Sequence, residues 1–152
     1  MDQFSTGLDS GPGHLVALLQ REGYRHVVGI DASSEQVAKA HADGLASVRR
    51  ADALDFLGSG TRFDAIIAID VLEHFDQPGV LRLLDAIAAA LQPGGRIVMR
   101  SPNAGSPFFG RYRYGDFTHG TAFTASSVDQ VLSATGSPTS RCFPPSPFRT
   151  AQ

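Results

Sequence analysis

The residues in this chain best suited to chemistry are a glycine-rich turn and a carboxylate 18 residues beyond its last glycine. Ser10-Gly11-Pro12-Gly13-His14-Leu15 sets glycines directly before a run that reads as a helix. Glycine lets backbone approach a ligand closely, and a helix N-terminus presents N–H groups that have no intrahelical partner. Asp31 closes the short run His26-Val27-Val28-Gly29-Ile30. A carboxylate at this spacing can accept both hydroxyls of a ribose, so turn and acid together read as half of an adenosine site. The plainer reading is a tight turn and an acid that caps the next helix. Asp52, Asp70 and Ser101 also stand just past apolar runs. Capping explains any one acid, but three at regular spacing point to one ligand-binding edge.

The elements that would position these residues alternate. Leu15, Val16, Leu18 and Leu19 give a helix ended by Gly23, and Ser33-Ser34-Glu35-Gln36 reads as a capping box opening a helix to about Asp43. Residues 46–50 and 63–70 read as strands, 77–91 as a long helix stopped by Pro93-Gly94-Gly95, and 96–100 as another strand. Such alternation implies crossover connections and a parallel sheet covered on both faces, and the near-continuous apolar run 65–69 suits a strand buried on both sides. Residues 102–124 carry Asn103, Arg111, Tyr112, Arg113, Tyr114 and His119 without periodicity, as a functional loop would. A helix at 126–134, a strand near 141–143 and a frayed Pro/Ser-rich tail at 144–152 complete the expected organisation.

The chain has 152 residues, which suits one domain. Thirteen basic against 15 acidic residues leave a formal charge of −2, so no field draws in a polyanion and nucleic acid is not an expected partner. One cysteine, Cys142, excludes an internal disulfide framework and a multi-cysteine zinc site, and no ligand-type residues are spaced for another metal. No apolar run approaches the roughly 18 residues needed to span a bilayer, and the first residues lack the pattern of a secretory signal. A cytoplasmic protein is expected.

The glycine turn with Asp31 does not separate a nicotinamide dinucleotide from S-adenosylmethionine. Gly11-Pro12-Gly13-His14-Leu15, Val28-Gly29-Ile30-Asp31, Asp52-Ala53, Phe63-Asp64-Ala65-Ile66, Asp70-Val71-Leu72-Glu73-His74-Phe75 and Leu91-Gln92-Pro93-Gly94-Gly95-Arg96 occur in order. In that combination the chain resembles the class I S-adenosylmethionine-dependent methyltransferases of the bacterial small-molecule type, over about residues 7–143. The resemblance implies an α/β, Rossmann-like parallel sheet with helices on both faces. It implies a single domain over 1–152, with a core at 7–101, a substrate loop at 102–124 and a helix and strand at 125–143. It also implies truncation at both ends. Residues 1–6 are poor in apolar side chains, so the first strand is expected to be degenerate and the last strand absent after about residue 143. The family's turn reads acid-x-Gly-x-Gly-x-Gly. A register fixed on Gly11 and Gly13 sets Gly7 at the acid and Asp9 at the first glycine; a slide of two sets Asp9 at the acid and Leu15 at the last glycine. The first register is preferred.

Roles follow from the resemblance position by position. Gly11 and Gly13 would pass under the cofactor, Asp31 would hold its ribose with Ala32 near the adenine, and Asp52 would accept from the adenine amino group beside Ala53. Asp70 and Val71 would border the methionyl end, and Glu73 and His74 would begin the substrate side with Asn103. If the acceptor is a hydroxyl, a base must take its proton; His119 is the first candidate and His74 the second. Arg111, Tyr112, Arg113 and Tyr114 either clamp an anionic or sugar-bearing substrate or cover the surface. The leading expectation is methyl transfer to a small-molecule or saccharide-type acceptor, at oxygen. The alternative is a degenerate, catalytically inactive domain that binds an adenosyl ligand or a partner chain. A homodimer stays open. A nicotinamide-dependent oxidoreductase would share Gly13 and Asp31, but the chain lacks a Tyr-x-x-x-Lys pair; its only lysine is Lys39.

Overall fold

The computed structural model describes residues 4–8 and 11–135. Strands β1 (Phe4–Leu8), β2 (His26–Asp31), β3 (Val48–Arg50), β4 (Phe63–Ile69) and β5 (Leu91–Arg100) form one sheet in the order β3-β2-β1-β4-β5. Every pairing in it is parallel. Helices α1 (His14–Arg21), α2 (Ser34–Ala42), α3 (Ala53–Leu57) and α4 (Gln77–Ala90) cross between strands, and α5 (Phe109–Gly115) and α6 (Ala125–Ala134) follow. Strand order reverses between β1 and β4. In open parallel sheets a ligand crevice lies beyond the carboxyl ends of the strands at such a reversal.

The first strand differs from the degenerate element expected. β1 is the central strand: Phe4, Ser5, Thr6 and Gly7 pair with β2, and Ser5, Thr6, Gly7 and Leu8 pair with β4. Backbone bonds to two neighbours hold it whatever the polarity of its side chains, because those bonds use only N–H and C=O groups. The compromise is visible in one atom, the Oγ1 of Thr6, which is buried with no hydrogen-bond partner. The strand near 141–143, the tail, and Asp9 and Ser10 lie outside the described residues. Among those residues, no helix is long and apolar enough to cross a membrane.

The core divides by strand parity. Val28 and Ile30 face the larger cluster, where Leu8, Phe63, Ile66 and Ala68 pack against Leu57, Leu83, Leu84 and Ile87. Val27 and Val48 face the opposite way, against Val16, Val37 and Ala40 of α1 and α2. Ile66 and Ala68 are fully buried, whereas Ala65, Ile67 and Ile69 on the other side of β4 are only half-buried. The expectation that this strand is buried on both sides is therefore corrected. The second cluster draws on β2 and β3 and does not extend across β4.

Three local expectations also shift. Ser33 caps α2, its hydroxyl accepting from Gln36 N–H at 3.4 Å, but the reciprocal half of the box is made by Asp31, which takes the Ser33 N–H at 2.8 Å. Gln36 Oε1 is left buried without a partner. Residues 102–124 are not wholly irregular, because they hold α5, a short helix with no buried residue. Its lack of an apolar face is why periodicity did not reveal it. Finally, α6 starts one residue earlier than expected, at Ala125, because Thr124 and Ser127 form a complete capping box.

Candidate active site

The glycine turn is closed by the carboxylate expected to face it. Asp31, 5% exposed, accepts the Gly11 N–H through Oδ2 and the Ser33 N–H through Oδ1, each at 2.8 Å. Each oxygen of an ionised carboxylate has two acceptor positions, so one on each remains for a ligand. Gly11 and Gly13 both take positive φ, +51° and +87°. A Cβ on Gly13 would meet Leu45 Cδ1 at 2.6 Å and Val48 Cγ2 at 3.2 Å, whereas one on Gly11 would meet nothing within 4 Å. Gly13 is thus glycine for packing, and Gly11 lays bare backbone beside open space. Leu15 lies inside α1, whose N-cap is Gly13, which agrees with the register that places the last glycine at 13.

The other acids are held differently. Asp52 caps α3, with Oδ1 accepting Leu54 N–H at 2.8 Å and Asp55 N–H at 3.2 Å. Both bonds fall on one oxygen, so capping and a ligand contact through Oδ2 are compatible. Ala53 is half-buried and packs on the core, and Ala32 is exposed, its carbonyl accepting from Arg50 at 3.3 Å. Asp70 takes a left-handed conformation, φ +54°, directly after β4. Its carboxylate is paired with Arg100 at the end of β5, and its N–H donates to the Arg100 carbonyl at 2.8 Å. This pair was not foreseen from the sequence, since the register Ile69↔Arg100 creates it. The Val71 side chain is buried in the core, 4% exposed, so only its backbone can border a ligand.

A second cluster forms where a short 3₁₀ turn, Leu72–His74, meets the loop after α5. The Glu73 carbonyl accepts Gly120 N–H at 2.6 Å and Thr121 N–H at 3.1 Å, and Thr121 Oγ1 donates to the Phe75 carbonyl. These bonds bring His119 against His74, with ring centroids 5.0 Å apart. His74 Nδ1 lies 2.9 Å from Thr118 Oγ1, and His119 Nδ1 lies 2.8 Å from the Tyr112 carbonyl. Arg113 donates to the carbonyls of His119 and Gly120 and stacks its guanidinium on Tyr114 at 5.6 Å. Arg111, Tyr112 and Tyr114 are exposed on α5. The four-residue run is therefore split, with Arg113 supporting the loop and its three neighbours on the surface. Asn103 is exposed and accepts Gly105 N–H at 2.8 Å, which makes it a turn-former.

Glu73 is the buried acid of this half. It is 3% exposed, Oε2 accepts from Ser101 Oγ at 3.2 Å, and Oε1 has no partner. Burial pushes its carboxyl above the ordinary value of 4.5, and the nearby charge of Asp70 adds to the effect. The folded chain thus holds this proton more tightly than the unfolded chain does. The contribution to stability is full below pH 4.5 and is lost as pH rises through the raised value. Glu73→Gln removes that loss. Its melting temperature relative to the parent should climb from acid to neutral pH, and a difference equal at both ends would contradict the assignment.

Two sets of groups thus line the carboxyl ends of the strands, one around Asp31 and the other around His74. Residues 5–137 match the family described as a methyltransferase domain. The chain belongs to the class I S-adenosylmethionine-dependent methyltransferases. The chain is 35% identical over 99 residues to a protein named ubiquinone biosynthesis O-methyltransferase from Xylella fastidiosa strain 9a5c, covering 61% of this chain and 39% of that one. The protein of the same name from Bradyrhizobium diazoefficiens is 36% identical over 97 residues, covering 61% and 37%. The chain thus spans about two-fifths of the length of these relatives. Among solved structures, a SAM dependent methyltransferase from Archaeoglobus fulgidus matches with a TM-score of 0.79 at 23% identity, over 88% of this chain and 60% of that one. Haemonchus contortus phosphoethanolamine N-methyltransferase 2, in complex with S-adenosyl-L-methionine, matches at 0.69 and 21% identity, over 90% and 33%. Both share this chain's fold.

Proposed function

We propose that this chain binds S-adenosylmethionine between the Gly11–Gly13 turn and Asp31 and methylates a hydroxyl oxygen of a small molecule. The observation that carries the reading is the Asp31 carboxylate bonded to the Gly11 N–H, with one acceptor position still open on each oxygen. The residues fit the cofactor: a buried acid for ribose hydroxyls, bare backbone at Gly11 beside open space, and Asp52 Oδ2 for an exocyclic amine. When bound, the cofactor supplies a methyl group already activated by a sulfonium.

The chain's own work is then alignment, exclusion of water and removal of one proton. Asp31, Gly11 and Gly13 hold the nucleoside, with Ala32, Ala53 and Asp52 at its base and Asp70 and the Val71 backbone at its other end. Glu73 and the loop of Gly120 and Thr121 fix the floor of the acceptor side. Imidazole Nε2 takes the acceptor's hydroxyl proton. Sequence order favoured His119 for this role, but His74 is the better supported candidate, since it sits on the turn that follows β4 and has a hydroxyl and a carboxylate behind it. His119 borders the acceptor, its ring against that of His74. The names of the relatives at 35–36% identity favour oxygen as the methylated atom, and a hydroxyl-bearing compound of the ubiquinone-biosynthesis kind over a saccharide.

Gly7, at the position where the family's turn carries an acid, favours a second reading of binding without turnover. Incubation with methyl-labelled S-adenosylmethionine and a panel of phenolic and catecholic acceptors separates the two. Label in the acceptor supports the proposal. S-adenosylhomocysteine binding without label in any acceptor supports the second reading, and absence of binding overturns both.

A further inference from the structure

The hydrogen bonds around His74 run in one direction. Thr118 Oγ1 lies 2.6 Å from Asp116 Oδ1, the separation of a hydroxyl donating to a carboxylate, and the Thr118 N–H donates to the same oxygen at 2.8 Å. An ionised carboxylate only accepts, and a hydroxyl has one hydrogen, which here is given to Asp116. The two bonds from Thr118, side chain first, also hold the Asp116 carboxyl below its ordinary range. What remains on Thr118 Oγ1 toward the imidazole 2.9 Å away is a lone pair, so His74 Nδ1 must be the donor.

We infer that Thr118 and Asp116 are positioning residues that hold neutral His74 as the Nδ1–H tautomer and leave Nε2 as its unprotonated nitrogen. Their use in methyl transfer rests on the reading of His74 as the base. The relay also acts after the proton has moved. An imidazolium protonated at Nε2 keeps its Nδ1–H on a hydroxyl backed by a carboxylate, which holds the ring in place without setting a charge against the acceptor. The other groups around His74 do not compete for Nδ1. Glu73 is bonded to Ser101, and the His119 ring gives its own Nδ1–H to the Tyr112 carbonyl, which only accepts. The relay is also preorganised, because the N–H groups of Gly120 and Thr121 bind the Glu73 carbonyl, one residue before His74.

The test needs no acceptor. Imidazole ¹⁵N spectra of the full chain, recorded as pH is raised until the shifts stop changing, report which nitrogen carries hydrogen, and His74→Gln assigns the resonances. The inference expects His74 protonated at Nδ1 and bare at Nε2 in the parent. Thr118→Val should shift it toward the Nε2–H tautomer, Thr118→Ser should restore the parent spectrum, and Asp116→Ala should shift it as Thr118→Val does. Circular dichroism checks that each variant is folded. A parent protonated at Nε2, or a tautomer indifferent to Thr118→Val in a folded chain, overturns the relay. An intact Nδ1–H tautomer in a chain that methylates nothing supports the relay and counts against the methyl-transfer reading, so the two fail separately.

Discussion

Asp31→Ala is expected to weaken S-adenosylhomocysteine binding at least about a hundredfold, read by titration calorimetry. Hydrogen bonds to a charged group contribute about 1.5–3 kcal/mol each, and about 1.4 kcal/mol is a factor of ten. Two ribose hydroxyls on one carboxylate therefore amount to a hundredfold or more. The substitution also frees the Gly11 and Ser33 N–H groups, so the turn itself loosens. Asp31→Asn separates the two effects, because the amide keeps the size of the side chain and offers one acceptor oxygen in place of two. It should recover melting temperature more fully than affinity. Affinity close to the parent in a folded Asp31→Ala chain would show that the ribose is held elsewhere.

The second large effect is expected in turnover. Removal of a general base typically costs 10²–10⁴-fold, so His74→Ala should lower kcat by about that factor with little change in S-adenosylhomocysteine affinity. The lost rate should be largest below the acceptor's own pKa and shrink as pH rises and the hydroxyl ionises unaided. His119→Ala should cost less, because its Nδ1 is backed by a neutral carbonyl where His74 is backed by a hydroxyl and a carboxylate. A larger loss at His119 than at His74 would return the base to the loop residue that the sequence ranked first.

What the sequence revealed and concealed follows from the range of the interactions. Asp31 and the glycine turn were legible because a strand and a helix of ordinary length fix their spacing, and the direct bond between Asp31 and Gly11 is the outcome. The polar β1 was not, because a buried parallel strand is read from its apolar run, and here backbone pairing on both sides compensates for Ser5 and Thr6. The partner of Asp70 was hidden for a related reason. Arg100 is 30 residues away and reaches it only through the pairing of β4 with β5. The basic-aromatic run read as either a clamp or a surface cover, and a short helix divides it, turning Arg113 to the loop carbonyls and Arg111 outward. Thr118 and Asp116 fall within the expected loop at 102–124 but carried no role there, since nothing in the chain's order shows that an Asp-x-Thr turn closes on a histidine 44 residues earlier.

The most direct measurement is a comparison of S-adenosylhomocysteine with its 2′,3′-dideoxy analogue, titrated into the parent and into Asp31→Ala. If Asp31 holds the ribose, the parent prefers the natural ligand by at least about a hundredfold, and the variant binds the two equally. Equal binding of both compounds by the parent, or the same preference in both chains, would contradict the placement of the nucleoside on which the active site is built.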